Sequence, residues 1–292
     1  MRLTDKVALV MGGGQTKGQT IGNGRATAVL FAREGARVVV VDRDAEAAEE
    51  TAQIIAKEGG EAWSRQGDVT DESAVARVVE ECVGRWGRID ILHNNVGVSI
   101  AGGDAPVTTI TGDAFDRIIS VNLKGMIFAC KHVVPVMQSQ RSGAITNISS
   151  NAVLIDYPYV GYKTSKTAVI ALTEQLAITY APDGIRANVI LPGLMNTPMA
   201  IENRAARWNL PRDEVVAMRD AEVPLRHKMG TAWDVAHAAL FLDSDEAGFV
   251  TGAVLTVDGG QSLQAGWRSE QLKDLARNEP APRSGPRTET TP

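Results

Sequence analysis

The runs Val7-Ala8-Leu9-Val10-Met11 and Val39-Val40-Val41 constrain this chain more than any other feature. Both are apolar at every position, while a strand sends successive side chains to opposite faces of its sheet. Neither face of such a strand suits water, so both must be covered. Strand-like runs fall at 6–11, 37–42, 61–66, 89–94, 143–149, 185–191 and 253–257. Helical periodicity occupies 22–34, 44–58, 71–86, 113–138, 159–181 and 231–243. This alternation predicts an α/β fold, a doubly wound parallel seven-stranded Rossmann-type sheet with helices on both faces. No shift of composition interrupts residues 1–260, so one domain is expected over 1–265.

Two segments break the rhythm. Residues 195–230 carry Pro198, Pro211, Pro224 and many charges without a clear strand, which predicts a helical flap over the substrate site. Residues 266–292, rich in proline and charge, cannot bury a core and read as a mobile tail.

With 44% apolar residues the chain can bury a large core, and its net charge of −5 disfavours nucleic acid or an anionic membrane as partner. Cys82 and Cys130 sit in apolar helical stretches and read as buried thiols rather than a disulfide. Neither a basic leader nor an uninterrupted apolar run of about 18 residues occurs, so the expected location is cytoplasmic.

The first strand runs into Gly12-Gly13-Gly14-Gln15-Thr16-Lys17-Gly18-Gln19-Thr20-Ile21-Gly22-Asn23-Gly24 before a helix begins. Glycine lets backbone approach a pyrophosphate, and a helix N-terminus offers unpaired N–H groups. Asp42 ends the second strand 18 residues after Gly24. That spacing suits a carboxylate gripping a ribose diol, although Asp42 could equally start the next helix. A carboxylate there repels a 2′-phosphate and favours NAD over NADP, whereas Lys17 and Arg43 leave the phosphate open.

Tyr162 and Lys166 stand four apart in a helical segment and so share a face. An ammonium beside a phenol favours the phenolate and draws its pKa down from about 10. Such a pair suits alcohol–carbonyl proton transfer. Tyr159 and Lys163 share the spacing, so it selects nothing by itself.

These motifs together resemble the short-chain dehydrogenase/reductase superfamily over residues 3–264. Gly12 and Gly22-Asn23-Gly24 resemble its Thr-Gly-x-x-x-Gly-x-Gly loop, with about six residues inserted and the role of 13–20 open. Asp68-Val69 resembles the adenine-contacting pair, and Asn94-Asn95-Val96-Gly97 resembles Asn-Asn-Ala-Gly. Asn122 matches the helix asparagine of a proton relay, and Ser150 matches the serine that polarises the substrate oxygen. Tyr162-Lys163-Thr164-Ser165-Lys166 matches Tyr-x-x-Ser-Lys, which selects Tyr162 and Lys166 over the decoy. Pro192, Gly193, Met195 and Thr197 fall in the loop that holds the nicotinamide carboxamide, and 251–260 resembles the closing strand.

The resemblance implies an NAD-dependent oxidoreductase interconverting a secondary alcohol and a ketone. Tyr162 would be the acid/base, and Asn122, Ser150 and Lys166 would complete the catalytic set. Asn151, Tyr157, Met199 and Trp208, with Ser150 and Tyr162, are expected around the substrate, whose apolar or acidic character stays open. Alternatives are an NADP-dependent 3-oxoacyl-type ketoreductase, a nucleotide-sugar epimerase or dehydratase, and a non-catalytic dinucleotide sensor. By analogy with relatives, a homotetramer through 113–138, 159–181 and the last strand is expected.

Overall fold

A computed structural model describes residues 1–264, so the tail expected at 266–292 lies outside the described residues. Seven strands form one sheet: β1 (Val7–Met11), β2 (Arg37–Asp42), β3 (Glu61–Gln66), β4 (Ile91–Asn94), β5 (Gly143–Ile148), β6 (Ile185–Pro192) and β7 (Val254–Val257). Their order is β3-β2-β1-β4-β5-β6-β7, every pair parallel, as the apolar runs predict. The order reverses between β1 and β4, where Met11 lies in register with Asn94. Ligand crevices of such sheets open at the carboxyl ends beside this switch point.

Nine α-helices occur among the described residues: α1 (Asn23–Arg33), α2 (Ala45–Lys57), α3 (Glu72–Trp86), α4 (Gly112–Ile119), α5 (Gly125–Gln140), α6 (Val160–Tyr180), α7 (Pro198–Trp208), α8 (Arg212–Ala221) and α9 (Ala232–Asp243). The period of two then sorts the core. Ala8, Val10, Val38 and Val40 pack with Phe31 of α1 and Leu240 of α9 on one face. Val7, Leu9, Val39 and Val41 pack with Val78 of α3, Val133 of α5 and Leu176 of α6 on the other. Asp44 and Asp71 cap α2 and α3, each accepting two backbone N–H bonds.

Two expectations are refined. The helix predicted over 113–138 is α4 and α5 joined by a π-helical turn, Ser120–Lys124, which carries Asn122 inward. The continuous run Gly112–Gln140 is long and apolar enough to cross a membrane by length and composition. Its Ala129, Val133 and Met137 instead belong to the core beneath the sheet. The segment 195–230 holds α7 and α8, packed on each other through Ile201 and Val215, with Val223 just after α8 in the same cluster.

Asp243 ends α9 inside the core, where Oδ1 accepts a 2.7 Å bond from Thr146 Oγ1 and Oδ2 has no partner among the described residues. Burial pushes this carboxyl up to about 7. The folded chain therefore keeps a proton that the unfolded chain releases above about pH 4, and stability from this group falls as pH rises toward 7. Asp243→Asn removes that loss. Its stability advantage over the native chain should grow from pH 4.5 to 7 and level off above, reaching at most about 4 kcal/mol at roughly 1.4 per pH unit. Urea unfolding at both ends of the range measures it, and an advantage independent of pH would contradict the assignment.

Candidate active site

The strands that bear on the site end, and helices α1, α6 and α7 begin, at the carboxyl edge of the sheet. After β1, Gly12 adopts φ +80° and Gly12 and Gly13 both donate to Val41 O, at 2.8 and 3.0 Å. Asn95 Nδ2 donates to Gly12 O at 3.0 Å, tying the loops after β1 and β4 together. A Cβ on Gly24 would overlap Gly12 O, so only glycine lets α1 seat this close to the loop. Beneath, Thr51 Oγ1 donates to Gly13 O at 2.9 Å and accepts from the buried Arg25 Nε at 2.9 Å.

The insertion is a closed excursion. Gln15 Oε1 accepts from Gly22 N at 2.9 Å and Gln15 Nε2 donates to Thr20 O at 3.3 Å, so the side chain staples both ends. Gly12 and Gly24 thereby meet despite the added residues. At the tip, a Cβ on Gly18 would stand 2.8 Å from Pro198 Cβ and 3.0 Å from Glu202 Cγ, which places the loop against α7.

Asp42 Oδ2 accepts from Gly14 N and Oδ1 from Asp44 N, each at 3.1 Å. Burial raises its pKa, and these two backbone bonds oppose the rise. Asp68 is exposed and folds back onto Thr70 N and Oγ1, while Val69 is buried under Gly125. At the α1 terminus, Thr20 Oγ1 and Asn23 Oδ1 are buried without a partner among the described residues, and Gly22 supplies no side-chain cap.

On the other side of the crevice, β5 delivers Ser149 and Ser150 toward α6. Lys166 is 2% exposed, its Nζ donates to Ile148 O at 2.8 Å, and Ser149 Oγ donates to Lys166 O at 2.7 Å. Gly97 leaves room for the ammonium, since a Cβ there would sit 3.0 Å from Nζ. Desolvation pulls the lysine down to about 7. Nζ lies 5.7 Å from the centroid of the Tyr162 ring, so the two side chains do share a face.

The expected depression of the Tyr162 pKa is corrected. Burial raises it, and the adjacent Ser150 hydroxyl and the Arg204 charge only partly oppose the rise. The same desolvation that hides the phenol weakens the lysine charge, and the ammonium is bonded to the Ile148 carbonyl rather than to the phenol.

Asn122 is fully buried and spends its amide elsewhere than on Lys166. Oδ1 accepts from Val98 N at 2.7 Å, and Nδ2 donates to Val98 O at 2.9 Å and Ser165 Oγ at 3.0 Å. The side chain thus fixes the loop after β4 against α6. Lys163 of the decoy pair is bound to Ile155 O at 2.5 Å.

Tyr157 stacks obliquely on Tyr162 with centroids 5.6 Å apart, and its hydroxyl pairs with Ser99 Oγ at 3.0 Å. Asn151 is buried and donates to Gln261 Oε1 at 2.7 Å, near Gly193. Gly193 N donates to Val257 O at 2.9 Å, directly after Pro192 ends β6. Met195 bridges to Gly230, and Thr197 precedes α7 with its carbonyl accepting from Ala200 and Ile201. Met199 opens α7, but Trp208 stands exposed at the far end of that helix, about 14 Å along its axis.

Asp104 was not foreseen. It is 1% exposed and accepts from Gly161 N and Tyr162 N, both at 2.9 Å. A carboxylate 57 residues upstream therefore caps the helix turn that carries Tyr162, and no local pattern in the chain announces it.

The enoyl-(acyl carrier protein) reductase family model matches residues 18–262. The 2-(R)-hydroxypropyl-CoM dehydrogenase of Xanthobacter autotrophicus is 36% identical over 244 residues, 83% of this chain and 95% of the relative. This chain is a short-chain dehydrogenase/reductase. A solved short-chain dehydrogenase/reductase from Burkholderia xenovorans superposes with a TM-score of 0.80 at 40% identity, covering 90% of this chain and 98% of that one. A structure of NAD+-bound xylitol dehydrogenase gives 0.80 at 34% identity, covering 89% and 100%.

Within this short-chain dehydrogenase/reductase, Asp104→Ala leaves two N–H groups of α6 without acceptors. The expected loss is about 2–6 kcal/mol of stability, at about 1–3 for each of the two unsatisfied groups. Asp104→Asn should recover part of it by keeping one oxygen. Denaturant titration of both variants reads this, and an Ala variant as stable as the native chain would refute it.

Proposed function

We propose that this chain is an NAD-dependent oxidoreductase that interconverts a secondary alcohol and a ketone, with Tyr162 as acid and base. The observation that carries the reading is the convergence of Ser150, Tyr162 and Lys166 at the carboxyl ends of β5 and α6's first turns, beside the switch-point crevice. The fit to a dinucleotide is supported by the Gly12–Gly24 cradle and by the unpartnered Thr20 and Asn23 oxygens at the open end of α1. Gly12, Gly22, Asn23 and Gly24 would hold its phosphates, Asp42 a ribose diol, and Asp68, Val69, Asn95, Gly97, Pro192, Gly193, Met195 and Thr197 the remainder. When bound, the dinucleotide supplies the hydride acceptor or donor.

The chain's own groups handle the proton and the oxygen. Ser150 and Tyr162 hydrogen-bond the reacting oxygen; the Tyr162 phenol gives its proton to a ketone, and the Tyr162 phenolate receives one from an alcohol. Lys166, its pKa lowered to about 7 by burial, lies 5.7 Å from the centre of the Tyr162 ring, and Asn122 holds Val98 and Ser165 so that the pocket wall stays in register. The carboxylate of Asp42 disfavours a 2′-phosphate, which supports NAD. Exposed Ile127 and Ile178 on α5 and α6, with Val254 on edge strand β7, support the homotetramer as a proposal.

Because burial raises the phenol pKa, alcohol oxidation should accelerate between about pH 7 and 9 while ketone reduction should not. Initial rates in both directions read this, and oxidation flat across the range would count against Tyr162 as base. Tyr162→Phe should lower turnover by about 10²-fold or more with dinucleotide binding nearly intact. Near-normal turnover would move the proton role elsewhere. KM should be lower for NAD than for NADP, and Asp42→Ser should narrow the gap; the reverse preference would exclude NAD.

A further inference from the structure

Arg219 sits on α8 four residues after Val215, and these two are the buried residues of that helix. A helix turns once in about 3.6 residues, so both look inward on one face. Arg219 is only 8% exposed, its Nε is sealed without a partner, and no group among the described residues accepts a hydrogen bond from its guanidinium. Buried guanidinium is ordinarily paired, because taking a charge out of water is costly.

The surroundings add to the cost. Arg204 of α7 lies near enough to disfavour a second positive charge on Arg219. Arg204 itself also acts on the Tyr162 and Tyr157 phenols, and Arg219 on Tyr157. Two guanidiniums therefore lie near the two tyrosines, Arg204 with one Nη1 bond to Ala200 O at 2.9 Å in its own helix and Arg219 with none among the described residues. Asp220 and Glu222 flank Arg219 on its own element, but Asp220 Oδ1 is bound to Met229 N at 2.8 Å and neither forms an ion pair with Arg219. Elsewhere the same flap pairs its arginine where the role is structural: Arg212 meets Glu202 Oε1 at 3.2 Å and Asn196 Oδ1 at 3.3 Å.

We infer that Arg219 and Arg204 form a subsite for an anionic group on the substrate, so that the reacting compound is a hydroxy or oxo acid, carboxylate or sulfonate, rather than a neutral alcohol. The inference rests on the proposed role of Tyr162 and adds the substrate class. Guanidinium suits such groups because its planar fork donates two parallel bonds to two oxygens. The subsite is placed on the flap helices α7 and α8, and comparing acid with amide while NAD is bound separates a substrate anion from a dinucleotide phosphate.

The test compares oxo acids of increasing length, 4-oxopentanoate, 5-oxohexanoate and 6-oxoheptanoate, each against its primary amide. Binding is measured by calorimetry with NAD present, and kcat/KM with NADH. At the fitting length the acid should bind at least about tenfold more tightly than the amide, given the usual strength of charge-assisted hydrogen bonds. Arg219→Met should abolish that preference and Arg219→Lys should keep part of it. Arg204→Gln, at a less buried position, should weaken it as well. Arg219→Met should also melt no lower than the native chain, because it removes an unpaired buried charge. Equal binding of acid and amide at every length, or a preference that survives both Arg219→Met and Arg204→Gln, would overturn the inference. Preferential binding of the acid without any turnover would uphold this subsite and sink the proposed function instead.

Discussion

A lysine held out of water orders the proposed catalytic side of this protein. Lys166 can be buried only because β5 meets it with two groups, the Ile148 carbonyl at its tip and Ser149 at its backbone. Those contacts need α6 to lie flat on the end of the strand, and Gly97 is bare so that the ammonium can pass. Asn147 continues the same grip, taking a bond from Asn94 Nδ2 and giving one to Thr173 Oγ1. β4, β5 and α6 are thus locked by polar bonds inside a core, where an unmade bond is costly. The position of the Tyr162 ring follows from that lock together with the Asp104 cap.

Electrostatics at the site differ from a simple picture of a phenol softened by its neighbour. Desolvation acts on both partners and in opposite senses, raising the tyrosine and lowering the lysine. The geometry keeps the ammonium near the ring while its hydrogen bond goes to the main chain. Any further stabilisation of phenolate must come from charge brought to the crevice or from Arg204, whose effect on the phenol is already favourable.

Much of this was legible in the chain. The all-apolar runs predicted a parallel sheet covered on both faces, and Val38 through Val41 alternate between the two cores as period two demands. Asp42 follows from its spacing after Gly24, whereas Ser150, Tyr162 and Lys166 were selected by their resemblance to the family's motifs. The parts that stayed hidden depend on long-range closure. Asp104 reaches α6 across 57 residues, Gln15 closes its loop through side-chain bonds, and the inward aim of Arg219 appears only when α8 is folded onto α7. Met199 and Trp208, both expected around the substrate, stand near opposite ends of α7.

The tip of the inserted loop has a mechanical meaning. Gly18 lies bare against a proline ring and the aliphatic stem of Glu202, whose carboxylate is itself clasped by Arg212. The Gly-rich loop and the helix pair proposed as a flap are consequently hitched at a single backbone atom. Bulk added at that atom would be transmitted to the first turn of α7 as displacement, so the seat of that helix is set by a residue 180 positions earlier in the chain.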